Sequence, residues 1–112
     1  MKYAMLIHEK PGYVEALAED EQKAVLAEYT ALRDDPRRVA SGQLQPVETA
    51  TTVRVQNGQT LSTDGPYADT KEVFGGYYVC EVDNLDEAIE LAARIPAARL
   101  GGAIEVRPLL ER

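Results

Sequence analysis

Tryptophan is absent from this 112-residue chain, and histidine, cysteine and phenylalanine occur once each. A single cysteine, Cys80, excludes an intrachain disulfide and fits a reducing cytoplasm. One histidine and one cysteine cannot assemble a Cys/His zinc site, and no metal is expected. Positive charge is also scarce, with 12 Lys and Arg against 19 Asp and Glu, a net charge of -7. Such a surface repels nucleic-acid phosphates and anionic membranes, so neither is an expected partner. No apolar run approaches membrane-spanning length, and Met1-Lys2 leads straight into a short strand-like segment instead of a secretory h-region. Neither Gly-x-Gly-x-x-Gly nor Walker spacing occurs, and no cofactor is expected. The lone histidine and the lack of a nucleophile elbow leave no Ser-His-Asp arrangement to argue.

The elements present spell one domain over residues 1–112, since the length leaves no room for two. Lys2 to His8 reads as a strand that is largely apolar on both faces. Glu9 to Leu17, with Pro11-Gly12, reads as a loop running into a helical turn. From Asp20 a helix carries Val25, Tyr29 and Leu32 on one face, with Glu19, Asp20 and Glu21 suiting its dipole. Asp34-Asp35-Pro36 ends it. Arg38 to Leu44 is a second strand, weakened or bulged at Gly42. Asn57-Gly58 supplies the two positive-φ positions of a type I′ turn, so Thr51 to Thr63 forms a hairpin.

Val73 to Val82 is a long strand, with Phe74, Tyr78, Cys80 and Val82 expected on one face and Tyr77 and Val79 on the other. Asn84, with Glu87 three residues on, caps a second helix. Its expected buried stripe is Leu85, Ala88, Ile89 and Ala92, and Pro96 ends it. Ile104 to Leu109 is the last strand. The order β-α-β-(hairpin)-β-α-β is a ferredoxin-like split βαβ plan of the α+β class, with an inserted β-hairpin. Both helices then cover one sheet face. The other face is apolar in its central strands and expects cover, most simply from a second copy in a face-to-face homodimer that closes a dimeric α+β barrel.

The sixteen residues from Thr63 to Tyr78 concentrate the unusual chemistry. Asp64 could orient a proton donor, or could cap the amides of its own turn. Gly65-Pro66 sets the chain direction. Lys71 could bind an anion, or pair with Glu72 at the surface. Gly75-Gly76 marks a bulge or a close approach by ligand or backbone. Tyr67 and one of Tyr77 and Tyr78 could line a pocket, although burial suits either of the adjacent pair as well. His8, at the end of the first strand, is the natural general acid or base, or else a polar cap on the strand. Cys80, mid-strand with no basic neighbour in sequence, reads as a small buried hydrophobe.

Asp64-Gly65-Pro66-Tyr67, Thr70-Lys71-Glu72 and Gly75-Gly76-Tyr77-Tyr78 resemble the motif of the DGPF proteins, within the bacterial YCII-related superfamily. The opening Met1–Ile7, the phrase Thr49–Arg54, the helix start Leu85-Asp86-Glu87-Ala88 and the tail Ile104–Pro108 resemble it too. Tyr67 stands where Phe is usual. The resemblance implies a dimeric α+β barrel with a cleft beside the dimer interface. Some such proteins are similar to dehydrochlorinases or carry a His–Asp pair with the histidine on the first helix. The first helix here has no histidine, so that pair does not carry over.

Together these readings make a small cytoplasmic homodimer binding an organic ligand, with cofactor-free acid–base chemistry at His8 and Asp64. Lys71, Tyr67, Gly75, Gly76 and Tyr78 are the candidate ligand-binding residues. A non-enzymatic accessory of transcription regulation is the first rival. A cofactor-free monooxygenase, by fold analogy alone, is the second.

Overall fold

A computed structural model describes residues 1–111. Lys2–Glu9 forms β1, Glu19–Arg33 α1, Arg38–Gln43 β2, Thr51–Gln56 β3, Gln59–Asp64 β4, Val73–Glu81 β5, Leu85–Ala93 α2 and Ala103–Pro108 β6. Short 3-10 turns at Val47–Thr49 and Pro96–Ala98 complete the path. The main sheet is ordered β2-β5-β1-β6, with every neighbouring pair antiparallel. This is the ferredoxin-like α+β arrangement that the element order predicts, with β3 and β4 as a separate two-stranded ribbon.

Both helices cover one face of the sheet. Tyr3, Met5 and Ile7 of β1 and Tyr78 and Cys80 of β5 meet Leu32 of α1 and Ala88, Leu91 and Ala92 of α2 in a single core. Ile104 and Val106 of β6 close its flank. The packing is tight: the gap between Met5, Leu32, Tyr78 and Leu91 is about 10 Å³, room for one water at most. Burial pushes the Cys80 thiol up, which suits a small core side chain and not a nucleophile.

The cap of α2 forms as expected. The Asn84 side chain accepts from the Glu87 amide at 2.9 Å. Glu87 reaches back one residue further than a capping box requires, to the Asp83 amide at 2.8 Å. Its other oxygen accepts from Arg37 at 3.2 Å. Arg37 also donates to Asp35 through Nη2 at 2.8 Å and Nε at 3.0 Å, tying the end of α1 to the start of α2. That guanidinium holds the Asp35 carboxyl down at about 2.

Two sequence expectations are corrected here. The buried stripe of α2 is Ala88, Leu91 and Ala92, continued by Ile95, while Leu85 and Ile89 are exposed. The helix carries apolar residues on two adjacent stripes, and the sheet selects one of them. Phe74 does not share a face with Tyr78. The pairing runs Ile7–Gly76 and then His8–Phe74, leaving Gly75 as an extra residue that moves Phe74 to the opposite face.

Candidate functional site

β1 ends at His8 and Glu9, and the bulge at Gly75 opposite them decides the surroundings of both. A Cβ on Gly75 would collide with the Glu9 carboxylate. A Cβ on Gly76 would stand 2.7 Å from the Gly42 carbonyl oxygen of β2. Gly76 therefore answers to packing against the backbone of β2, whereas the atoms met at Gly75 are the movable end of the Glu9 side chain.

On the open face, away from the helices, His8 lies against Phe74, with ring centroids 5.8 Å apart and the planes tilted by 39°. His8 Nε2 is 3.5 Å from Glu105 Oε1 of β6. The register places Ala4 and Leu6 of β1, Tyr77 and Val79 of β5 and Ala40 of β2 on this same face. The imidazole thus sits at the end of an apolar sheet surface, 37% exposed and beside a carboxylate. It can accept a proton from, or return one to, a group lying on that surface.

Asp64 and His8 are not brought into contact; the carboxylate beside His8 is that of Glu105. Asp64 closes β4 opposite Thr51, exposed. The turn after it is held by the Gly65 amide on the Ala50 carbonyl and the Thr52 hydroxyl on the Gly65 carbonyl, each at 2.8 Å. Tyr67 is exposed, with the Arg54 guanidinium 5.7 Å from its ring centre. Lys71 is exposed in the loop before β5. Tyr78 is buried in the core, so its ligand-binding expectation is replaced by a packing role.

Sequence reasoning missed a second cluster at the same strand end. Glu9 lies on the helix side by strand alternation, and the hydroxyls of Tyr13 of the following loop and Tyr29 of α1 are hydrogen-bonded to each other. All three residues are half-buried. Burial, then repulsion from Glu15, raises the Glu9 carboxyl above its usual range. Burial likewise raises both phenols, to which the charge of Glu9 adds. The one sequence signal was a tyrosine within the apolar stripe of α1; a carboxylate partly withdrawn from water leaves no signature in sequence.

Two hollows lie elsewhere. One is the core gap, and the other is a shallow groove between Lys2, Glu81 and the tail residues Leu109 and Leu110. Among the described residues no group of three or more His, Cys, Asp or Glu side chains is placed to hold a metal ion. No helix of the described residues is long and apolar enough to cross a membrane.

The whole chain, residues 1–112, matches the YCII-related domain. The chain belongs to the YCII-related family. An uncharacterised family relative from Rhizobium meliloti (strain 1021) is 34% identical over 116 residues, covering 97% of this chain and 92% of that protein. Among solved structures, the 5-chloro-2-hydroxyhydroquinone dehydrochlorinase of Burkholderia phenoliruptrix AC1100, in complex with 2,5-dihydroxybenzoquinone, is similar with a TM-score of 0.55. It covers 100% of this chain and 96% of its own, at 18% identity, a likeness that shows the fold.

Proposed function

We propose that this YCII-related protein acts as a face-to-face homodimer, closing a dimeric α+β barrel, and handles a small organic ligand by cofactor-free acid–base chemistry. The observation that carries the reading is His8, set against Phe74 and Glu105 at the end of an apolar sheet face that its own helices leave uncovered. The solved dehydrochlorinase suggests the ligand class, a hydroxylated quinone or hydroquinone. His8 takes a proton from the ligand. The proton returns at another carbon in an isomerisation, or a leaving anion departs with the bonding pair in an elimination, and neither needs an oxidant. Asp64, Tyr67 and Lys71 enclose the ligand from the motif, with Lys71 facing its developing negative oxygen.

Calorimetric titration with 2,5-dihydroxybenzoquinone tests this. His8→Ala and Asp64→Ala are each expected to weaken binding about tenfold, the cost of losing a charged hydrogen-bond partner. Unchanged affinity in both variants would sink the assignment. A second reading has an observation of its own: the Gly65, Thr52 and Ala50 hydrogen bonds make the motif a brace for the hairpin base. It fits a non-enzymatic accessory protein, and it is favoured if Asp64→Asn lowers the melting temperature and leaves binding intact.

A further inference from the structure

By strand alternation from Tyr78 and Cys80, Phe74 belongs with the core residues of β5. The extra residue at Gly75 turns it over to the open face, directly opposite His8. The chain has one phenylalanine and one histidine, and the bulge sets them side by side. Burying a phenylalanine is among the larger gains that a core position offers. This one stays 45% exposed instead. Bulges beside active sites re-aim side chains in this way.

The surroundings leave room above the ring. His8 stands between Phe74 of β5 and Ala103 of β6, and Ala103 is small and exposed. In the next row Leu6 stands between Tyr77 and Glu105. The Tyr77 ring lies against Gly42 of β2, where a Cβ would come within 2.8 Å of it. The centroids of His8 and Phe74 are 5.8 Å apart and their planes are tilted by 39°, so the imidazole is not stacked flat on Phe74. A flat ring laid on Phe74 in the offset-stacked arrangement sits about 3.5–4 Å from it, with its rim turned toward the imidazole. A puckered ring is held off by its axial hydrogens and loses most of that contact.

We infer that Phe74 is a specificity-determining residue of the His8 site, a stacking platform that selects planar, conjugated rings over saturated ones. The inference rests on the reading of the open face as a ligand site and adds which ligands that site admits. Phe74 holds the face of the ring, and His8 meets the rim, where the exchangeable protons are. The Gly75 bulge is the device that makes the pairing, because a regular strand would return Phe74 to the core.

Hydroquinone and trans-cyclohexane-1,4-diol are the probes, alike in ring size and hydroxyls but flat in one case and puckered in the other. Each is titrated into the protein at pH 7 and followed by backbone amide NMR. Hydroquinone is expected to bind about three- to tenfold more tightly. Phe74→Leu keeps apolar bulk without the ring, and it should weaken hydroquinone by about that factor while leaving the diol unchanged. Phe74→Tyr should retain the preference. In the unmutated protein, nuclear Overhauser contacts from the hydroquinone ring protons should reach the Phe74 ring, whose signals are unambiguous in a chain with one phenylalanine. Equal affinities for the two probes, no saturable binding of hydroquinone, or binding without contact to that ring would overturn the platform. So would a Phe74→Leu variant that keeps the preference, or one that alters only self-association. His8→Ala separates this inference from the acid–base reading. Hydroquinone binding that depends on Phe74 and not on His8 upholds the platform and sinks the role of His8. Dependence on His8 alone overturns the platform and leaves that role standing.

Discussion

At the scale of single residues, the informative pair is His8 and Glu9, neighbours in sequence that serve opposite faces of one strand. Glu9 carries a cost. Its folded-state pKa lies above the ordinary 4.5, because burial and Glu15 oppose its charge. The folded protein therefore holds that proton more tightly than the unfolded chain, and stability falls as pH rises from about 4.5 through the folded value. Glu9→Gln removes the penalty. Thermal melts at pH 7 should show it melting above the parent. The gain should vanish below about pH 4, where both states bind the proton. A variant that melts lower than the parent at pH 7 would show that Glu9 has a stabilising partner.

At the scale of elements, the bulge in β5 organises the strand end. Gly75-Gly76 was legible in sequence as a bulge or a close approach, and the structure contains both. Gly75 is the extra residue, and Gly76 admits the Gly42 carbonyl. Gly76→Ala should cost about 1–3 kcal/mol, the range for forcing extra volume into a packed site. Chemical denaturation measures that, and a midpoint equal to the parent's would show that β2 gives way freely. The bulge also explains why strand alternation misassigned Phe74: a single unpaired residue inverts the phase of everything on one side of it. Helix α2 shows a different limit. Leu85 and Ile89 are as apolar as Leu91, yet they stay exposed, because the sheet can bury only one stripe of so short a helix.

At the scale of the whole molecule, the hairpin dominates the shape. The radius of gyration is 15.9 Å, against about 13 Å for a compact chain of this length. The extents of 46 × 43 × 19 Å describe a flat body with a projecting arm. That arm exposes Val53, Val55 and Leu61, and an isolated two-stranded ribbon is marginally stable in water. The central strands add a second apolar surface at Leu6, Tyr77 and Val79. A chain with two such surfaces gains by associating with itself. Sedimentation equilibrium is expected to show a dimer at micromolar concentration, and Leu6→Lys on the open face should shift it to monomer. A monomeric parent protein would exclude the barrel.

The sequence by itself determined the family, the order of the elements and the caps and turns that bound them. Those features depend on residues close together in the chain: Asn84 with Glu87, Asn57 with Gly58, and the Asp64–Tyr78 motif. Only the tertiary structure decided which stripe of α2 is buried, that Tyr78 is core, and that His8 pairs with Glu105 and not Asp64. It alone brought Tyr13 to Tyr29. The reason is physical. Local propensity and alternation act over a few residues, whereas burial, charge and the phase of a bulged strand depend on partners tens of residues away.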